Sequence, residues 1–355
     1  MTAEAFVADA FDGRPAARTL RVGWLGAEAP LPGIRSELVA LDDLAAAGEG
    51  GLDVVHVVGR GFDLAAVRRA APRAAIVLDL TGETAPRLGR LEARRLRQAD
   101  QILLPEREDL HAIADGHSDL GRKAAVVPPP IDLEHFAPLD ALSKERATDA
   151  RLKRFRRIHR LAGPTILFVG PYTKDGGLEL VLDLVFALRE RSGDLRLAAL
   201  PDGPVDVRFR DACERRALGL GHHGIVEWHA APDELQLWYA LCTVVCCPRA
   251  DGAGAGPARL AAAAGRPFVG SAGGSAAEVV TEGKTGFLVP AGDAETLRAA
   301  LEALVGDTEE ASRLGRNGRV RAEQEYGFST AVDRTEQAWC DAVEEHSRAG
   351  AGART

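Results

Sequence analysis

Gly273-Gly274-Ser275 follows an apolar run, PFVGS, and precedes SAAEVV, a segment of helical character. A glycine pair between a strand and a helix leaves backbone amides unobstructed, and such amides hold anions such as phosphate. Glu278 falls on the first turn of that helix, where a carboxylate either takes part in ligand binding or interacts favourably with the helix dipole. A second group is basic: Arg151, Lys153, Arg154, Arg156, Arg157 and Arg160, with Leu152, Phe155 and Ile158 among them. Such a run reads from its residues as a solvated linker face balanced by the acidic remainder. A third group, LCTVVCCP, carries Cys242, Cys246 and Cys247 of the chain's five cysteines. No pair of Cys or His follows at metal-ligand spacing, so buried strand thiols in a reducing compartment are expected, with neither metal nor cofactor.

These groups need a framework, and apolar runs supply one. Candidate strands cover 19–26, 52–59, 74–80, 101–105 and 124–128, then, after a break, 164–170, 195–201, 224–229, 242–248, 267–271 and 286–290. Their runs are continuous rather than alternating, which suits strands covered by helices on both faces. Between them SELVALDDLA, LEARRLRQAD, LELVLDLVFALRER, DELQLWYALC and AETLRAALEALV have helical period. The doubly wound α/β pattern therefore occurs twice. Asp202-Gly203-Pro204 reads as a turn.

A length of 355 residues and 46% apolar composition suit two such domains. Residues 128–142 hold four prolines, which block a continuous helix or central strand and predict a hinge. The expected division is an N-terminal domain over 1–135, a hinge and basic helix over 136–162, and a second domain over 163–328. A crossover helix over 329–346 returns to the first domain, and the tail 347–355 is expected to be disordered. The net charge of −8 argues against nucleic acid as the main partner. The opening MTAEAFVADAFDGRP lacks the features of a signal peptide, and no run of 18 or more apolar residues occurs, so a cytoplasmic location is expected.

From about residue 90 onward the chain resembles the group 1 family of retaining, nucleotide-sugar-dependent glycosyltransferases. Four segments carry the resemblance: LEARRLRQADQILLPEREDL with VVPPPIDLEHFAP, TILFVGPYTKDGGLELVLDLVFALRERSGDLRLAALPDGP, IVEWHAAPDELQLWYALCTVVCCP, and GRPFVGSAGGSAAEVVTEGKTGFLVPAGDAETL. It implies the GT-B fold, two Rossmann-like domains facing a central cleft, with a trimmed acceptor domain on the N-terminal side. Partners implied are a nucleotide-sugar donor and a glycan, lipid or small-molecule acceptor. Contact with the inner face of a membrane through 151–160 and pairing with a homologous glycosyltransferase are further expectations.

The resemblance also says what is missing. A departing diphosphate accumulates negative charge, which a metal-free enzyme neutralises with cations and backbone amides. The family's Arg and Lys fall here on Pro171 and Gly176, its two glutamates on Gly252 and Leu260, and its acceptor-side His on Thr81. Lys174 and Arg249 are candidate replacements at the donor, beside Gly273, Gly274, Ser275 and Glu278. Asp251 and Glu83 are candidate catalytic substitutes, with Asp79 and Arg259 nearby. Sugar transfer through an altered donor site and a catalytically silent GT-B binding module are the two functions the sequence supports.

Overall fold

The computed structural model describes residues 7–9, 20–25, 37–38, 52–81, 89–144, 146–220, 225–228 and 234–352. They divide into two compact units, Met1–Pro130 with Phe328–Thr355, and Ile131–Gly327.

In the first unit, β1 (Val7–Asp9), β2 (Arg21–Leu25), β3 (Glu37–Leu38), β4 (Val54–Val58), β5 (Ala75–Asp79), β6 (Gln101–Leu104) and β7 (Ala124–Val126) form one sheet. The order is β1-β2-β4-β5-β6-β7, with β3 paired to β2, and every pairing except β1–β2 is parallel. Alternation divides the strands between two cores. Val55, Val57, Ile76, Leu78, Ile102 and Leu104 face one cluster, and Val54, Val77 and Leu103 face the other. The helix Phe328–Gly352 covers the second cluster with Ala338, Trp339 and Ala342.

In the second unit, β8 (Thr165–Tyr172), β9 (Arg196–Val205), β10 (Val226–Trp228), β11 (Val244–Cys247), β12 (Phe268–Ser271) and β13 (Gly286–Val289) form a wholly parallel sheet. Their order is β10-β9-β8-β11-β12-β13. Leu167, Val169, Val245 and Cys247 face one core, and Ile166, Phe168, Val244 and Cys246 the other. Both faces are buried, which is why these strands read as unbroken apolar runs. Aspartates start several helices: the carboxylates of Asp206, Asp293 and Asp307 each accept two amide hydrogen bonds from the first turn that follows.

Three expectations need correction. The helix predicted over SELVALDDLA gives way at Glu37–Leu38 to a short strand on β2, the rest of that segment lying outside the described residues. Asp202-Gly203-Pro204 is not a free turn, because β9 runs on to Val205, past a register shift opposite Gly170/Tyr172 and with Gly203 at φ 101°. The tail expected to be disordered from 347 continues the last helix to Gly352.

Candidate functional site

Numbered in order of appearance, the strands of the second unit run 3-2-1-4-5-6, and the order reverses between β8 and β11. Open α/β sheets bind ligands outside the carboxyl ends of the strands at that reversal. The loops leaving β8, β11 and β12 are knitted together there. Ala250 donates its amide to the carbonyl of Asp175 (2.8 Å), and Ala276 donates to Gly252 (3.2 Å).

Two glycines fix the shape of these loops. A Cβ on Gly176 would run into the carbonyl oxygen of Pro171. Gly252 sits at φ 69°, and a Cβ there would lie 2.6 Å from the amide nitrogen of Gly274. These are the positions at which the family resemblance calls for Lys and Glu, and the backbone leaves no room for either side chain. Leu260, at the second glutamate position, is half-buried against the core on the helix Ala255–Ala263.

The candidate cations differ in their freedom. Lys174 is exposed, has no ion-pair partner among the described residues, and lines a recess of ≈ 370 Å³ with Asp175, Gly177, Pro248 and Ala250. Arg249 is committed instead to Asp251, its Nε and Nη2 lying 2.9 and 2.7 Å from the two carboxylate oxygens. That carboxylate also accepts the amide of Ala253 (3.1 Å). The hydrogen bond from Arg249 is the main cause holding the Asp251 carboxyl below its ordinary range, with partial burial opposing it. The two proposed substitutes thus neutralise each other. Arg259 is buried, its guanidinium 6.0 Å from the ring centroid of Tyr326.

Ser275 serves the loops rather than solvent. Its buried hydroxyl accepts the amides of Gly254 (3.3 Å) and Ala255 (3.4 Å), capping the helix Ala255–Ala263. The helix expected after the glycine pair is a single turn, Ala276–Val279, so a long helix dipole is absent there. The amides of Gly273 and Gly274 donate to no acceptor among the described residues. Glu278 is half-buried on that turn, and its main-chain carbonyl accepts from Arg321 (2.9 Å). Cys242, Cys246 and Cys247 are buried, and burial pushes the Cys242 and Cys247 thiols up to about 12.

In the first unit Thr81 and Asp79 stand at the carboxyl end of β5. Thr81 donates both its amide (2.8 Å) and its hydroxyl (2.7 Å) to one oxygen of Asp79. The other oxygen lies 3.1 Å from His56 Nε2. Trp339 Nε1 donates to His56 Nδ1 (2.9 Å), so Nδ1 is an acceptor and Nε2 carries the proton given to Asp79. Trp24 stacks on the same imidazole, ring centroids 3.9 Å apart. Burial raises the pKa of Asp79, but the bonds from His56 and Thr81 together outweigh it and leave the carboxyl below its ordinary value. Sequence reasoning missed His56 and Trp339; the one signal was a histidine inside the apolar strand VVHVV. Glu83 lies outside the described residues.

Residues 163–307 match the family model described as glycosyl transferases group 1. The chain is 27% identical over 260 residues to the D-inositol 3-phosphate glycosyltransferase of Kribbella flavida, covering 71% of this chain and 59% of that one. It is 29% identical over 224 residues to the GDP-mannose-dependent alpha-(1-6)-phosphatidylinositol monomannoside mannosyltransferase of Mycolicibacterium smegmatis, covering 60% of this chain and 56% of that protein. The chain therefore spans little more than half the length of these curated relatives. Among solved structures, a glycosyltransferase from Rickettsia africae aligns at TM-score 0.70 and 13% identity over 85% of this chain and 81% of its own. Anabaena HepE in complex with UDP aligns at TM-score 0.64 and 15% identity over 83% and 80%. At such identities the likeness is one of fold: two Rossmann-like α/β units, the GT-B fold.

Proposed function

We propose that the chain, whose residues 163–307 match the group 1 glycosyltransferase model, transfers a sugar from a nucleotide-sugar donor to a glycan or lipid acceptor, through a donor site altered from the family pattern. The observation that carries this reading is the convergence of the loops after β8, β11 and β12 at the strand-order reversal of the matched unit. Sugar departure leaves negative charge on a diphosphate, and preorganised donors aimed at that charge lower the barrier. Lys174 and the amides of Gly273 and Gly274 are the groups we assign to it. Arg249 joins them when its pair with Asp251 opens.

The relatives' own substrates suggest which donors to try. One uses GDP-mannose, and a structural neighbour holds UDP. Calorimetry with GDP-mannose and UDP-glucose should give binding in the micromolar to millimolar range, and Lys174→Ala should weaken it about tenfold, the worth of one charged hydrogen bond. Absence of binding by every nucleotide sugar would remove the donor reading. Asp251→Ala separates two roles. If Asp251 holds a sugar hydroxyl, affinity for UDP-glucose falls while that for UDP stands; if it merely sequesters Arg249, both rise.

A second reading, nucleotide-sugar binding without turnover as a binding or regulatory module beside a homologous glycosyltransferase, draws on Gly176 and Gly252, whose surroundings admit no side chain. Nucleotide release on adding a phosphoinositide or glycan acceptor discriminates the two. Release supports the transferase, and tight binding with no release supports the module.

A further inference from the structure

Arg266 stands between the helix Ala255–Ala263 and the amino end of β12, at the edge of the sheet opposite the loops assigned to the donor. Of the five N–H donors on its guanidinium, only one, on Nη2, meets an acceptor among the described residues, the carbonyl of Ala240. Nε is buried and has no partner among them. No carboxylate hydrogen-bonds to this guanidinium; Asp140 acts on it only through its charge. Burial is the chief cause pressing its pKa downward, and the positive charge of Arg156 adds to it, while Cys242 and Asp140 oppose them. A charge withdrawn from water is strongly disfavoured unless an opposite charge or several hydrogen bonds go with it. Arg266 has neither.

A cavity adds an independent observation. Arg266 lines a space of ≈ 10 Å³ together with Ala258, Ala262, Phe268, Gly318 and Arg321. That volume seats one species about the size of a water molecule. Its wall carries two arginines and no carboxylate. Arg321 is already satisfied: it donates to the carbonyls of Glu278 (2.9 Å) and Val279 (2.6 Å), and its Nε pairs with Glu325 (3.2 Å). One positive charge, that of Arg266, therefore remains uncompensated beside room for one small species. Nε and the second hydrogen of Nη2 lie along one edge of the guanidinium, the fork that takes anions. A water molecule would satisfy Nε and leave the charge as it was.

We infer that Arg266 binds a small monovalent anion of the chloride class in this cavity. The ion accepts the Nε hydrogen and neutralises the guanidinium in one step. The alanine and phenylalanine walls strengthen the attraction, because they keep water from screening it. A polyatomic anion such as phosphate or a carboxylate exceeds the space. The site makes ionic conditions felt by the elements that carry the donor loops. Arg266 joins the helix Ala255–Ala263, capped by Ser275, to β12, which runs on into Gly273-Gly274. The inference does not rest on the donor reading and survives its failure.

Thermal melting of the full chain in sodium chloride and in sodium gluconate, at equal ionic strength, tests it. The wild type should melt higher in chloride, by roughly 3–6 °C for each tenfold rise in concentration above the dissociation constant. Bromide should act as chloride does. Arg266→Met removes the cation and should abolish the difference between the salts. Ala258→Val fills the cavity with Arg266 in place and should abolish it too, which keeps the test valid where Arg266→Met does not fold. Crystals grown in bromide should show an anomalous peak at hydrogen-bond distance from Arg266 Nε. Equal melting of the wild type in chloride and gluconate overturns the inference and leaves water as the Nε partner. So does a chloride response that either variant retains, or a bromide peak that lies away from Arg266.

Discussion

Gly176 and Gly252 carry more information about the donor loops than any charged residue near them. Each stands where a family side chain would point at the donor, and each is closed to a Cβ by neighbouring backbone. Restoring those side chains should therefore damage the fold before it improves the chemistry. Gly176→Lys is expected to cost about 1–3 kcal/mol from overpacking. Gly252→Glu, with an added left-handed backbone, should cost roughly 2–4 kcal/mol. Urea midpoints check both, and an unchanged midpoint would mean that the loops rearrange freely. The sequence made the loss of the usual charges legible, because it requires only counting from Gly265-Arg266-Pro267. It did not reveal that Arg249 and Asp251 hold each other, since two residues at i and i+2 meet only if the turn between them bends suitably. Nor did it reveal that Ser275 caps the helix Ala255–Ala263, a contact across 21 and 20 residues.

Among elements, the strands were the most legible. Each of the eleven expected runs overlaps a strand of the structure, because most of these strands are buried on both faces and leave an uninterrupted apolar signature. Where the backbone departs from that rule the sequence misled, as in β9, where the exposed Asp202-Gly203-Pro204 fall in a register shift before Val205 pairs with Tyr172 of β8. The helix Phe328–Gly352 shows what pattern alone omits. Its amphipathic period is plain, but the partner of Trp339 is His56, 283 residues away. Trp339→Phe keeps an aromatic ring but removes the donor and part of a fully buried indole, so a loss of about 2–3 kcal/mol is expected. Asp79→Asn should cost about 1–2 kcal/mol at pH 7. Because the folded Asp79 carboxyl lies below its unfolded value of about 3.9, its contribution is complete above that pH and is lost as pH falls through the lower folded value. The stability gap between wild type and Asp79→Asn should therefore shrink in acid below about pH 4. A gap that persists there would show that the charge is not what His56 and Thr81 stabilise.

At the scale of the molecule, two units of similar construction belong to one chain, and the first is made from segments that are far apart in sequence. Removing residues 328–355 should therefore strip one face of the β4–β5–β6 sheet and leave the β8–β13 sheet intact. Hydrogen exchange would report this as lost protection at Val54–Val58 and Ala75–Asp79 with protection kept at Thr165–Tyr172. During translation this arrangement inverts the usual order of maturation. The ribosome delivers the first sheet early, yet the strip that seals it is made only after the whole second unit has been synthesised. The nascent chain must carry a half-clothed apolar surface throughout that interval, and chaperone binding should concentrate on β4 and β5 until Trp339 has left the exit tunnel.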